Sequence, residues 1–165
     1  MKRPEKDIYY LGIARQIARR GTCLRRRIGA IIVKNDAVIS SGYAGAPRGT
    51  PNCIDLKECV RDKLNIKRGQ RYELCRSVHA EANTIINAAR TGANILGGMM
   101  YLFMEHPDGT ILYDKPCKMC RRMIINAGIK EVVVPWKGGI KRYEVKNWVK
   151  ESRKDPFKEV REEGY

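Results

Sequence analysis

Two short patterns in this chain combine residue types that can do chemistry. His79-Ala80-Glu81 heads one segment of helical apolar spacing, and Pro116-Cys117-Lys118-Met119-Cys120 heads another. Cysteines three apart at a helix start lie on one side of it, where the positive end of the helix dipole favours their thiolates. One imidazole and two thiolates give three ligands for a zinc ion and leave its fourth tetrahedral position to water. That is the arrangement of a catalytic zinc rather than a structural one. Such an ion brings the pKa of its water to about 7. Glu81 is not needed for coordination, so it is free to take a proton from the water and return it to a substrate nitrogen and leaving amine. Singly, each residue has a plainer reading: His79 as a cap, the cysteine pair as a redox couple, Glu81 as a dipole partner. Together, in this order and at two helix starts, they point to zinc.

The other cysteines are Cys23, Cys53, Cys59 and Cys75. No secretory signal precedes them, because the basic N-terminus lacks an apolar region, so reduced thiols and a cytoplasmic chain are expected. Four thiolates satisfy a closed tetrahedral zinc, which would staple the irregular segment 42–75 to the helix start at His79. The alternative is four free or buried thiols, since the spacings are not those of a short zinc knuckle.

These residues need a scaffold. The 165 residues suit one compact domain, and 43% apolar content supports a core despite 31% charged residues. No apolar run reaches the ~20 residues of a membrane span. Helices are expected at 7–20, 78–90 and 117–127, each followed by a glycine. Strands are expected at 28–33, 37–40, 99–104 and 131–135, the first two joined in a hairpin by Asn35-Asp36. A small hairpin is expected around Pro107-Asp108-Gly109, and a surface helical extension over about 140–165. Helices alternating with strands predict an α/β sandwich with helices on both sheet faces.

The charge predicts an anionic partner. Thirty-three Lys and Arg against eighteen Asp and Glu give +15. Nucleic acid and a nucleotide phosphate both fit, as does a merely solvated basic surface. Arg25-Arg26-Arg27 and Arg48 are the candidate phosphate ligands. Aromatic content of 7%, with no basic stripe interleaved by aromatics, weighs against a polynucleotide track.

The segments Cys75-Arg76-Ser77-Val78-His79-Ala80-Glu81-Ala82-Asn83 and Pro116-Cys117-Lys118-Met119-Cys120, with 123–129 after them, resemble the cytidine/deoxycytidylate deaminase family. The resemblance runs over about 9–135 and is greatest to the dCMP deaminase branch, which shares Thr22-Cys23 and the loop at 42–47. It implies a three-layer α/β/α sandwich with a five-stranded mixed sheet, in a single zinc-dependent deaminase domain over 1–165. It implies zinc on His79, Cys117 and Cys120, with Glu81 as proton shuttle. An accessory structural zinc on Cys23, Cys53, Cys59 and Cys75 is similar to one that members of the branch carry. Substrate contacts are expected from Tyr43, Ala80 and Asn83, with Arg26 and Arg48 on the phosphate. The implied reaction is hydrolysis of dCMP to dUMP and ammonia, by a homo-oligomer (dimer or hexamer) open to an allosteric nucleotide.

Two positions depart from the family pattern. Ala44 stands where the family loop has an Asn that contacts the nucleotide, and a methyl cannot make that hydrogen bond. Residues 105–115 look like an insertion ahead of Pro116, either a cover for the pocket, a subunit contact or surface decoration. The alternatives to a dCMP deaminase are a deaminase of tRNA or another polynucleotide, or a non-catalytic nucleotide-binding or DNA-uptake protein that keeps the zinc. Glu81 weighs against the last, because binding alone does not need it.

Overall fold

A computed structural model describes residues 3–67 and 69–155 of the chain. Helix α1 spans Lys6–Ala18, and the hairpin β1 (Arg27–Lys34) and β2 (Ala37–Tyr43) follows. Asn35 and Asp36 turn it with φ of 50° and 60°, the backbone signs of a two-residue hairpin turn matched to strand twist. The irregular segment contains two short helices, α2 (Cys53–Leu56) and α3 (Val60–Lys63), and a 3₁₀ turn at Tyr72–Leu74. Then come α4 (Ala80–Thr91), β3 (Met99–Glu105), α5 (Lys118–Asn126), β4 (Glu131–Trp136), β5 (Gly139–Glu144) and α6 (Val145–Lys154).

The five strands lie in the order β2-β1-β3-β4-β5, with β3 and β4 parallel and every other pair antiparallel. Side chains alternate across the central strands. Ile31, Val33, Tyr101 and Phe103 face α1, meeting Tyr10, Leu11, Ala14 and Ala18. Ala30, Ile32, Met100 and Leu102 face the other way, into a core with Ala80 of α4, Ile124 of α5 and Trp148 of α6. The expected α/β/α sandwich with a mixed sheet is therefore what forms.

Two glycines let the helices sit close on the sheet. A Cβ at Gly29 would stand 2.3 Å from the Ala18 nitrogen and 2.4 Å from the Ala14 oxygen in α1. One at Gly42 would stand 2.5 Å from the Thr84 nitrogen in α4. The second approach matters for function, since α4 begins at His79.

The structure corrects the expectation of a helix from about 140. Residues 139–144 form edge strand β5, and the helix starts at Val145. Gly138, with φ of 77°, reverses the chain so that Trp136 pairs with Gly139 and Glu131 with Glu144. Arg142 then reaches Glu131 at 2.9 Å and also pairs with Asp7, so charges that suggested a solvated helix tie the edge strand down. The stretch 156–165 of the expected extension lies outside the described residues. The 105–115 segment is a compact hairpin joined to β3 by a Glu105–Ile111 bridge, and Leu112 packs on the core. No helix among the described residues is long and apolar enough to cross a membrane.

Candidate metal centre and active site

His79 and Cys117 are the N-cap residues of α4 and α5, both in extended backbone, and Cys120 lies in the first turn of α5. Packing of the two helix starts brings the Cys120 and Cys117 sulfurs to 3.3 and 3.5 Å from His79 Nδ1. The three ligand atoms all lie within 4.8 Å of one another, the one such group of three or more among the described residues. One imidazole nitrogen and two sulfurs suit zinc, so the residues fit the ion. Their acid–base state fits it too. With Cys120 and His79 beside it, the Cys117 thiol is held down to about 4, while Cys120, buried next to Cys117 and Glu81, is pushed up. Burial alone would lower His79, but the Cys117 and Cys75 thiols and the Glu81 charge hold it up to about 10. A metal takes the place of the protons these groups share.

Glu81, only 4% exposed, sits in the first turn of α4 against Cys120. Burial pushes its carboxyl above the ordinary carboxylate range, opposed by the His79 cation. A buried carboxyl whose proton affinity is raised, beside a group of metal ligands, is suited to carrying protons.

His79, Glu81 and Cys117 open onto a cavity of about 610 Å³, while Cys120 is fully buried. Its wall includes Arg26 from the chain entering β1, Arg61, Tyr72 and Cys75 from the segment between β2 and α4, and Asp114 and Lys115 from the 105–115 hairpin. Seven arginines and two lysines line it against three carboxylates, Glu73, Glu81 and Asp114. The basic balance of the whole chain is thus concentrated around the reactive group, where an anionic ligand is favoured.

Residues 4–135 match the family described as "Cytidine and deoxycytidylate deaminase zinc-binding region". The chain belongs to this deaminase family. It is 34% identical to the deoxycytidylate deaminase of Mycobacterium phage D29 over 139 residues, which cover 82% of this chain and 98% of that protein. It is also 34% identical over 133 residues to the deoxycytidylate deaminase of Schizosaccharomyces pombe, covering 79% of this chain but only 37% of the yeast protein's length. Among solved structures, the dCMP deaminase of cyanophage S-TIM5 in apo form superposes with a TM-score of 0.59 at 25% identity, over 81% of this chain and 85% of that one.

Within this deaminase-family chain, the expected substrate contacts divide. Arg26 lines the cavity, 3.9 Å from Asp114. Arg48 does not; it is exposed and donates to Asn87 Oδ1 on α4 at 2.6 Å. Neither Tyr43, Ala80 nor Asn83 is part of the cavity wall. Asn83 instead donates to the Tyr43 carbonyl at 2.8 Å, tying the loop after β2 to α4, and the Ala80 side chain is in the core. That tie, with the Gly45–Val78 bridge, holds Ala44 against the cavity, where it offers a methyl.

Cys23, Cys53, Cys59 and Cys75 line the same cavity as free thiols. Burial pushes the Cys53 thiol up, Ser77 at 4.0 Å opposes this, and the other three cysteines add to the rise. The fold thus gathers them around Cys53 without closing three of them to the spacing of the first ligand group. Arg61 and Tyr72 escaped the sequence reading. They sit in α3 and the 3₁₀ turn, single-turn elements too short to show a periodicity, and a buried arginine there reads as one more surface charge.

Proposed function

We propose that the chain is a zinc-dependent hydrolase that converts dCMP to dUMP and ammonia. The observation that carries this is a His–Cys–Cys ligand group with buried Glu81 against it, opening into an arginine-rich cavity. When bound, zinc supplies a Lewis acid that makes water nucleophilic near neutral pH. His79, Cys117 and Cys120 would hold it. Glu81 takes a proton from water and passes it to N3 of cytosine, then carries a second to the amine at C4. The C4–N bond breaks, ammonia leaves, and the water oxygen remains as the uracil carbonyl. The basic wall, Arg26 included, holds the monophosphate. With Ala44 in the loop, recognition rests on charge more than on a loop amide. The family membership and the deoxycytidylate deaminase relatives support the substrate class.

The same reading includes a second, structural zinc on Cys23, Cys53, Cys59 and Cys75, whose sulfurs would close inward on binding. It also includes a cytoplasmic location, consistent with six free cysteines, and a homo-oligomer with room for a regulatory nucleotide.

Ammonia release from dCMP, dCTP, deoxycytidine and tRNA tests the assignment. The largest kcat/KM is expected for dCMP, with deoxycytidine well behind, because a phosphate-reading site leaves its arginines unpaired with the nucleoside. Equal rates for the two reject a phosphate-reading site. Faster release from tRNA establishes the polynucleotide reading, and no release from zinc-loaded protein establishes a non-catalytic one.

A further inference from the structure

A metal-bound imidazole must keep its ring plane, and the usual device is a strong hydrogen bond from its other nitrogen to a carboxylate or carbonyl. His79 is supported differently. The Cys75 thiol beside it is a weak hydrogen-bonding partner. The larger contact is with Tyr72, whose ring meets the imidazole edge-to-face, centroids 4.9 Å apart at 88°. On Tyr72 in turn lies the Arg61 guanidinium, its carbon 4.7 Å from the ring centroid. Arg61 is 7% exposed, and one of its Nη atoms donates to the carbonyls of Lys67 and Gln70, both at 2.8 Å. Its buried Nε has no hydrogen-bond partner among the described residues. Leaving such a donor unmet is costly, so the orientation is one the surroundings impose rather than one the arginine finds for itself.

We infer that Arg61 and Tyr72 form a positioning pair for the His79 ring, so that the irregular segment sets how firmly the ligand group keeps its metal. The inference rests on the zinc reading above. Carbonyls at 67 and 70 fix the guanidinium, the guanidinium fixes the Tyr72 ring by cation–π contact, and that ring blocks rotation of the imidazole away from the two sulfurs. Neither residue touches the substrate's reacting atoms in this scheme; both act through His79.

The experiment is a chelator challenge on the zinc-loaded full chain, following zinc release with 4-(2-pyridylazo)resorcinol. A His79→Ala chain identifies which release phase belongs to this site. Cobalt-substituted protein reports the ligand geometry independently by its visible bands. Tyr72→Phe keeps the ring edge and should release zinc within about twofold of the parent. Tyr72→Leu, which keeps apolar bulk but no ring, should release it roughly 10- to 100-fold faster, the usual effect of losing a ligand's support, and shift the cobalt bands. Arg61→Met should fall between the two, and it carries the test alone if Tyr72→Leu does not fold. Parent-like release and cobalt bands in Tyr72→Leu or Arg61→Met overturn the inference. So does a Phe variant as leaky as the Leu one. A parent chain that binds no zinc overturns the function proposed above as well, whereas a zinc-bound parent with indifferent variants overturns only the positioning pair.

Discussion

Two sets of cysteines meet at one cavity, the first through Cys117 alone because Cys120 is buried, yet the fold treats them differently. Cys117 and Cys120 sit on a single helix start, and that start packs against another headed by His79, so local helix geometry and one helix contact suffice to converge three ligand atoms. Cys23, Cys53, Cys59 and Cys75 come from four separate places in mostly irregular chain. They approach one another around Cys53 but stop short of ligand spacing. The difference is one of preorganisation. A site made from helix caps is shaped before its metal arrives, whereas a site made from loops is shaped by the metal.

The sharpest way to break that contrast is His79→Ala, which should abolish turnover and remove the metal of the first group while leaving any zinc on the four cysteines, as elemental analysis would show. A chain that kept full zinc content and activity would mean the helix-cap group is not the catalytic centre. Glu81→Gln comes next, with zinc retained and kcat lowered by at least ~10², the ordinary value of general acid–base catalysis. Near-normal kcat in a zinc-loaded variant would assign the proton transfer to another residue. Cys59→Ser should then act on the other set alone: zinc content falling from about two per chain to about one, a lower melting temperature, and kcat within a few-fold. About one zinc in the fully active parent would leave the four cysteines as plain thiols. The smallest effect concerns the wall the two sets share. Between 50 and 200 mM salt, kcat/KM for dCMP should fall only a few-fold, whereas a ligand making six or more phosphate contacts would lose roughly 10³ or more. A steep fall with dCMP would show that more of the basic wall engages it than one phosphate requires.

The same contrast governs what could be read in advance. The helix-cap group was legible because His79, Glu81, Cys117 and Cys120 obey short-range spacing rules, and glycines after the helices marked their ends. The sandwich was legible from alternating periodicities in β1, β3, α4 and α5. Strand β5 was not: the alternating charges from Arg142 onward made the tail look like a surface helix, and only the register with β4 and the Glu131 and Asp7 partners of Arg142 give that charge a place. The cavity wall was legible in total charge but not in address. Arg48 lay closer in sequence to the substrate loop than Arg61, yet Arg48 rests on the outside of α4 and Arg61 is buried beside the reactive group. Loops and single-turn helices are too short to show a period, so the side a residue faces there is settled only by long-range packing.

The parallel pairing of β3 with β4 has a consequence for how the chain finds its shape. Parallel neighbours cannot be joined by a tight turn, so α5 must cross over between them, and its first turn meets α4 on the same face of the sheet. Cys117 is 38 residues from His79 along the chain, and Cys120 is 41 away. An ion bridging them closes a loop whose counterpart in a covalent cross-link removes on the order of 3–5 kcal/mol of unfolded-chain entropy, by the chain-entropy account. Non-local parallel pairing of this kind is costly in loop closure, and an ion on His79, Cys117 and Cys120 would brace the crossover once made. On the zinc reading proposed above, turnover and part of the fold's durability would rest on the same atom, and chelation is expected to lower the melting temperature as well as kcat.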